Sequence, residues 1–295
     1  MMGKRHGSAL MRAYLVLLFS FFYLPIVVLM VYSFNESKSR SNFTGFTLKW
    51  YESLFHNDMI LSALGLSLAL ALISAVIATV VGTMAAIGIS GMGRKSRLII
   101  NNVSYIPVVN PEIITGVSLM LLFVAWSGAA AWWNQNAPAF LRFFPEDVIG
   151  FPSLLIAHIS FCLPYVIFNV APKLRQMDVR LYEAALDLGC NHRQAFFKVV
   201  LPELAPAIFS AFLISLTYSI DDFIISYFTC GTLQTLPIAI YSMTRKKVSP
   251  EINALSAVMF CVILAIILIS NAADSRAYRK NQTAIRKAMQ EEGDR

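Results

Sequence analysis

Six long apolar stretches take up most of this 295-residue chain and limit what it can fold into. A helix needs about 20 residues to cross a hydrocarbon core of about 30 Å, and each stretch is long enough. Hydrophobic residues make up 57% of the chain and charged residues 14%, so no sizeable soluble domain remains. We therefore predict an all-α membrane protein, a single transmembrane domain over residues 1–295, with six spanning helices at residues 13–34, 60–90, 98–126, 148–170, 205–230 and 252–273. The first is predicted to be retained, because it ends in Tyr-Ser-Phe-Asn at 32–35 rather than in a small-residue cleavage site.

Basic residues predict the orientation of these spans. Of the 24 Lys and Arg, 17 lie in the two terminal tails, the turn after the second span and the segment 171–204, and the other 7 lie in the three opposite loops. By the positive-inside rule both termini are predicted to be cytoplasmic. The net charge of +7 is thus a sign of topology. Nucleic-acid binding is not indicated, because the basic residues are scattered at helix ends without interleaved aromatic residues.

Residues that carry catalytic chemistry do not occur in recognisable patterns. The sequence has no nucleophile-base pair, no metal-ligand spacing and no phosphate-binding glycine loop. Its four cysteines form no Cys-x-x-Cys pair and are predicted to be packed free thiols. His158 lies within a span, either as a proton relay or as a hydrogen-bonded packing residue. We expect neither an enzyme nor a metal site on this chain.

The segment 171–204 predicts a short cytoplasmic helix-turn-helix. Asp178 is placed to cap the first helix, and Gly189 to end it in left-handed geometry. Asn191 and Gln194 are spaced as a capping box that opens a second helix, running to Pro202. One face of the first helix is apolar, through Leu181, Ala184, Ala185 and Leu188.

The opposite face of the first helix is acidic. Glu183 and Asp187 lie four residues apart, a spacing at which like charges destabilise an isolated helix by a few tenths of a kcal/mol. That cost indicates a cationic partner surface. An ordinary solvated loop is the alternative for a helix of this composition.

The same segment carries the motif Glu-Ala-Ala-x3-Gly-x9-Val-x-Leu-Pro at residues 183–202. This resembles the cytoplasmic signature of the inner-membrane permease subunits of binding-protein-dependent ABC importers. The resemblance implies a coupling helix that docks in a cleft of a separate ATPase and transmits its closure. Carried over, the coupling residues are Glu183, Ala184, Ala185, Asp187, Gly189, Leu201 and Pro202.

Further motifs narrow the resemblance to the second permease subunit of bacterial spermidine/putrescine uptake systems. They are the residues 32–35, 45–51, 158–164, 183–189, 219–223 and 248–255. The resemblance implies a second, related permease, two copies of a cytoplasmic ATPase that binds ATP and Mg, and a periplasmic polyamine-binding protein. It also implies the bacterial inner membrane as location. The chain departs from the family in Glu112, where aspartate is common, and in a longer loop at 127–147.

Three carboxylates lie within the predicted spans, where insertion costs about 2.5 kcal/mol or more each. At 1.5 Å per residue, Glu112 lies about 22 Å and Asp221 about 24 Å from the cytoplasmic ends of their spans. Asp222 falls on a stripe of small and polar residues, typical of a helix-packing face and also of a pore lining. We therefore expect Asp222 rather than Asp221 to face a substrate pathway.

Aromatic residues near these carboxylates are candidates for cation-π contacts with a substrate, and packing is the alternative. They are Tyr165, Tyr218 and Phe223. Together these observations predict half of a translocation path for a polyamine. A permease for another small cation, an amino acid derivative or an opine remains open, as does a stand-alone secondary transporter, although no inverted repeat is recognisable.

Overall fold

The computed structural model describes residues 3–37, 42–246, 250–265 and 268. Over these residues the protein is almost entirely helical, and the extended pairing is limited to an isolated bridge between Asn35 and Phe46. The predicted all-α class is confirmed. The helices are α1 (Gly3–Tyr32), α2 (Lys49–Phe55), α3 (Asp58–Ser90), α4 (Arg94–Val109), α5 (Glu112–Asn136), α6 (Phe151–Gln176), α7 (Val179–Asp187), α8 (His192–Ala195), α9 (Leu201–Asp221), α10 (Ile224–Thr229), α11 (Leu236–Lys246) and α12 (Pro250–Ala265).

Five helices are long and apolar enough to cross a membrane. They cover Met11–Tyr32, Asp58–Ser90, Glu112–Asn136, Phe151–Gln176 and His192–Asp221. Within the described part of the chain α12 is a shorter apolar helix, and the remainder of the sixth predicted span lies outside the described residues, apart from residue 268. Spans one, two and four agree with the predicted windows to within a few residues, except that the fourth helix continues to Gln176.

The third and fifth predicted spans are wrong as continuous helices. The third is divided at Asn110 and Pro111, both with extended ψ angles of 136° and 132°. Pro111 lacks the N–H that a continuing helix needs. The fifth begins earlier than predicted, at His192, and its long helix ends at Asp221. The predicted outer loop 127–147 is also wrong in its first half, because α5 continues to Asn136.

The chain divides into two compact units, one from residues 1–58 and 243–295 and the other from residues 59–242. A single permease domain over residues 1–295 stays a prediction. In the first unit no residue in the apolar window of α1 is buried, and the turn after α1 is hydrogen-bonded to α2. The indole of Trp50 donates a 2.7 Å hydrogen bond to the carbonyl of Asn35, and the hydroxyls of Ser33 and Tyr51 lie 2.7 Å apart.

The second unit contains the core, in which α3, α6 and α9 pack through small residues. Ala78, Ala157 and Ala211 are fully buried in one apolar cluster. At Gly82 an added Cβ atom would lie 2.7 Å from the side chain of Val166, so α3 approaches α6 closely here. Close approach through small residues is the usual way in which membrane helices gain van der Waals contact.

Candidate coupling surface and translocation site

The predicted coupling segment, residues 171–204, contains α7, and the N-terminus of α7 is capped as predicted. The side chain of Asp178 accepts a 3.0 Å hydrogen bond from the backbone N–H of Arg180. Such a cap satisfies one of the unpaired donors of the first turn. The nine-residue α7 therefore has a defined start, close after the end of α6 at Gln176.

Gly189 ends α7 in left-handed geometry, again as predicted. Its φ angle is 86°. Its N–H bonds to the carbonyl of Leu186 at 2.9 Å, and the N–H of Cys190 bonds to the carbonyl of Ala185 at 3.0 Å. This pair of bonds is the Schellman motif. Because an added Cβ would meet nothing within 4 Å, the backbone conformation and not the available space requires glycine here.

The predicted capping box opens the second helix. Asn191 Oδ1 accepts from the N–H of Gln194 at 2.8 Å, and Gln194 Oε1 accepts from the N–H of Asn191 at 3.1 Å. The prediction that this helix ends at Pro202 is wrong. Instead α8 passes through a π-helical turn, Phe196–Val200, directly into α9. The wider turn lets Pro202, which lacks an N–H and crowds the preceding turn, stand inside a continuous helix.

Both the acidic face of α7 and part of its apolar face are exposed. Glu183 and Asp187 are exposed, and neither has an ion-pair partner among the residues that the structure describes. Ala185 is buried, but Leu181 and Leu188 of the predicted apolar face are exposed. Ala184 and Pro202 are also exposed, and Leu201 is half-buried. An apolar and acidic surface of this kind, uncovered in the isolated chain, is suited to a protein partner.

An ion pair that the sequence did not reveal fixes the base of this segment. Lys173 Nζ at the end of α6 lies 2.6 Å from Glu203 Oε1 at the start of α9. Tyr182 and His192 join α7 to α8 through a 2.9 Å hydrogen bond between the phenol and Nδ1. The sequence does show a basic residue in the last turn of α6 and an acidic residue in the first turn of α9. It does not show that these two helix ends lie next to each other, which only the tertiary structure reveals.

A buried polar network occupies the middle of the second unit. His158 on α6 is 1% exposed. Its Nδ1 lies 2.7 Å from Ser219 Oγ and its Nε2 lies 3.0 Å from Ser226 Oγ. Ser219 continues the network to Ser74 on α3, with 3.0 Å between the hydroxyl oxygens. The interpretation of His158 as a hydrogen-bonded packing residue is therefore confirmed.

Asp222 belongs to the same network and caps the short helix after the interruption in α9. Its carboxylate accepts from the N–H of Ile225 at 3.3 Å and from the N–H of Ser226 at 2.7 Å. It is 7% exposed, and His158 Nε2 lies 3.6 Å away. Asp221, by contrast, is exposed. In this chain the stripe of small residues is thus a packing face and Asp221 is the accessible aspartate, while the prediction that Asp222 faces a substrate pathway stays a prediction.

Glu112 lies at the other interruption, as the first residue of α5, and is exposed. It interacts electrostatically with Asp222 and Asp221. The three carboxylates therefore lie in one region of the second unit, while their predicted common depth in the membrane stays a prediction. The two interruptions come close together, because an added Cβ at Gly116 of α5 would lie 3.4 Å from the Cα of Ile225 on α10.

Two of the three candidate aromatic residues, Tyr165 and Tyr218, form one group close to Glu112. The ring centroids of Tyr165 and Tyr218 are 4.5 Å apart, and Phe161 contacts both rings edge-on. Tyr165 also lies near Glu112. The third, Phe223, belongs to a separate aromatic group, with its ring centroid 4.8 Å from that of Tyr241. Within the described residues no group of three or more His, Cys, Asp or Glu side chains is arranged to hold a metal ion.

Interrupted membrane helices, a small-residue core and a short capped helix between two of the spans together define a multi-pass membrane permease. Residues 78–280 match the family described as the binding-protein-dependent transport system inner membrane component. The chain belongs to this family, and it is a transmembrane permease subunit of an ABC importer. The resemblance and the inner-membrane location inferred from the sequence are confirmed.

Two relatives cover nearly the whole chain. The spermidine/putrescine transport system permease protein PotC of Escherichia coli (strain K12) is 34% identical over 265 residues, 90% of this chain and 93% of the relative. The putrescine transport system permease protein PotI of the same strain is 36% identical over 278 residues, 93% of this chain and 94% of the relative.

The fold also resembles a solved structure, that of a bacterial ABC transporter involved in the import of the acidic polysaccharide alginate. The TM-score is 0.68 at 18% identity, with 91% of this chain and 94% of that chain covered. A second structure of an alginate ABC transporter, in complex with a periplasmic protein bound to an alginate pentasaccharide, gives a TM-score of 0.65 at 16% identity. At this identity the likeness shows the fold alone.

Proposed function

We propose that this chain forms half of the translocation path of an ATP-driven polyamine importer. The observation that carries the cationic substrate is the pair of exposed carboxylates, Glu112 and Asp221, at the interruptions of two membrane spans. The relatives PotC and PotI, whose names include spermidine/putrescine and putrescine transport, support the same substrate class.

The electrostatics of the interruptions favour a passing cation. A carboxylate and an ammonium 4 Å apart attract by about 1 kcal/mol in bulk water and several times more in a drier site. Two helices, α4 and α9, also end at these points, and helix C-termini carry partial negative charge. The rings of Tyr165 and Tyr218 add faces that attract cations. A linear polyamine would thus replace part of its hydration shell with several weak contacts. Weak contacts allow the substrate to move on, which is what a translocation path requires and a tight binding site does not provide.

The proposed energy source is a separate ATPase. Its cleft would accept α7, with Leu181 and Leu188 against an apolar wall and with Glu183 and Asp187 facing cationic groups. ATP and Mg would bind to the ATPase, and this chain itself would catalyse no reaction. The complete importer would contain a second related permease, two ATPase copies and a periplasmic polyamine-binding protein.

The proposed topology places both termini and α7 in the cytoplasm. It rests on the distribution of the 24 Lys and Arg, 17 of which lie on the predicted inner side. The outer loops would then receive the loaded binding protein. Because that receptor selects the substrate before it reaches the membrane, putrescine and spermidine are both compatible with the residues of this chain.

One structural feature also favours a second candidate, the stand-alone secondary transporter. Such carriers contain membrane spans that are interrupted near mid-membrane and expose the carbonyl groups of a helix end. In this chain the third and fifth spans are interrupted where α4 and α9 end. The coupling segment favours the ATP-driven reading, because α7 would have no partner in a carrier driven by an ion gradient.

The test of the proposal is substrate-dependent transport by the reconstituted importer. The complete complex in proteoliposomes, with its binding protein outside and ATP inside, should accumulate radiolabelled putrescine or spermidine. A neutral sugar or an acidic amino acid of similar size should not accumulate. Uptake of the neutral or acidic compound in place of the polyamine would contradict the cationic substrate and leave the family assignment intact.

A further inference from the structure

The ion pair of Lys173 and Glu203 lies between the coupling helices and the two membrane helices that flank them. Lys173 is in the last turn of α6 and Glu203 in the first turn of α9, so α7, α8 and the π-helical turn all lie between them in the chain. Lys173 Nζ lies 2.6 Å from Glu203 Oε1, and both side chains are half-buried. The ion pair therefore closes the chain between residues 173 and 203 into a loop with a fixed base.

The two ends of this loop are connected to α7 in different ways. On one side, the phenol of Tyr182 lies 2.9 Å from His192 Nδ1, and α8 continues through the π-helical turn into α9 without a break. On the other side, Met177 and Asp178 separate α6 from α7 with extended ψ angles of 135° and 113°. A displacement of α7 is thus carried by helix to α9, whereas only a two-residue extended link leads to α6.

The ion pair gives α6 a second connection to the coupling segment. Because Lys173 is held on Glu203, the end of α6 is joined to the start of the helix that continues from α8. The pair lies close to the fully buried Val170 and Leu204, where buried apolar residues give way to exposed ones. It therefore joins α6 and α9 at the end that is nearest to α7.

The two helices joined in this way carry side chains of the proposed path. Tyr165 is on α6, and Tyr218 and Asp221 are on α9. The ring centroids of Tyr165 and Tyr218 are 4.5 Å apart, although at 1.5 Å per residue Tyr218 is about 22 Å along α9 from the ion pair. A movement of α9 alone would separate the two rings, while a joint movement of α6 and α9 would keep them together.

We propose that Lys173 and Glu203 are positioning residues for energy coupling, which keep the end of α6 on α9 when the ATPase moves α7. Both helices then follow the ATPase together. A partly exposed ion pair contributes little to the free energy of folding, so its removal should change coupling more than stability. The inference rests on the proposed function, because it requires an ATPase that acts on α7.

The test measures polyamine uptake and ATP hydrolysis in the same proteoliposomes, which contain the complete importer and its binding protein. Lys173→Glu replaces the attraction with repulsion and should lower the number of polyamine molecules taken up per ATP hydrolysed about fivefold or more. Hydrolysis itself should continue, because the surface of α7 is unchanged. Lys173→Gln removes only the attraction and should cause a smaller fall. The double variant Lys173→Glu with Glu203→Lys restores opposite charges and should restore the wild-type ratio.

Arg175→Glu is the matched control. Arg175 lies in the same last turn of α6, is exposed and has no ion-pair partner among the residues that the structure describes, so this variant should behave as wild type. The amount of assembled complex is measured for every variant, and the Lys173→Gln variant decides the test if Lys173→Glu does not assemble.

A loss of assembled complex in Lys173→Gln in proportion to its lost uptake would overturn the inference in favour of a purely structural ion pair. A wild-type ratio in Lys173→Glu, an equal fall in Arg175→Glu, or a double variant as impaired as Lys173→Glu would also overturn it and leave the polyamine importer in place. If the wild-type complex accumulates no polyamine, the proposed function and the inference that rests on it both fall.

Discussion

His158 on α6 lies 3.6 Å from the carboxylate of Asp222, which accepts a hydrogen bond from a backbone N–H in the first turn of the short helix α10. This contact links the chain between α9 and α10 to the core of the second unit. Because Asp221 directly precedes Asp222, a fixed Asp222 also fixes where Asp221 is presented. The two adjacent aspartates therefore have different expected roles, one in structure and one in transport.

The structural role predicts that Asp222→Ala destabilises the protein. The substitution removes the acceptor of two backbone N–H groups and the neighbour of His158, and loss of such a cap costs about 1–2 kcal/mol. Thermal unfolding of the purified complex and its yield are the measurements. Asp222→Asn keeps one acceptor and should lose less. A stable, fully assembled Asp222→Ala complex without uptake would instead place Asp222 in the pathway.

The transport role predicts the opposite behaviour for Asp221→Asn and Glu112→Gln. Both side chains are exposed, so neutralising them should leave the assembled complex intact. Each should reduce polyamine uptake about fivefold or more, since an attraction of about 1 kcal/mol or greater is lost. Glu146→Gln, a charge change in the loop between α5 and α6, is the control. Full uptake by both variants would remove these two carboxylates from the path.

Gly189 predicts a backbone effect at the coupling segment. Gly189→Ala places a side chain at a φ of 86° and should cost about 1–2 kcal/mol, although the added methyl group meets nothing within 4 Å. ATP-dependent uptake should fall while the permease remains in the membrane. The matched control is Gly93→Ala, where φ is −60° and the added methyl group also meets open space. Equal behaviour of both variants would contradict a role for the left-handed turn.

The acidic face of α7 predicts loss of coupling on charge reversal. Glu183 is exposed and without an ion-pair partner among the described residues, so Glu183→Lys should leave the fold intact. It should weaken co-purification of the ATPase and abolish ATP-driven uptake, because a cation would face the proposed cationic cleft. Glu183→Gln should show an intermediate defect. Wild-type uptake by Glu183→Lys would contradict docking through this face.

Local features of the coupling segment were predictable from sequence because short-range rules determine them. Asp178, Gly189 and the pair of Asn191 and Gln194 form the predicted cap, left-handed turn and capping box. The end of the second helix was not predictable in this way. A π-helical turn before Pro202 lets the helix continue, and no short-range rule used for the caps predicts such a turn.

The interruptions of the membrane spans show a second limit of prediction from the sequence. In the third span, Pro107 and Pro111 indicate a kink from the sequence alone, because proline lacks the N–H of a continuing helix, and the structure has a full break at Pro111. Periodicity placed Asp222 and not Asp221 on the stripe of small and polar residues, but it could not decide between a packing face and a pore lining. Which of the two aspartates is buried depends on His158, 61 residues or more away in sequence from its network partners Ser219 and Ser226.

The dependence on partner subunits is the most direct test of the whole account. This chain is reconstituted in proteoliposomes alone and together with the second permease, the ATPase and the binding protein, and radiolabelled polyamine uptake is measured with and without ATP. We expect uptake by the complete complex with ATP only, and none by the chain alone, because one permease subunit supplies half of the path and no nucleotide site. Polyamine accumulation by the purified chain alone, driven by an ion gradient, would contradict the account.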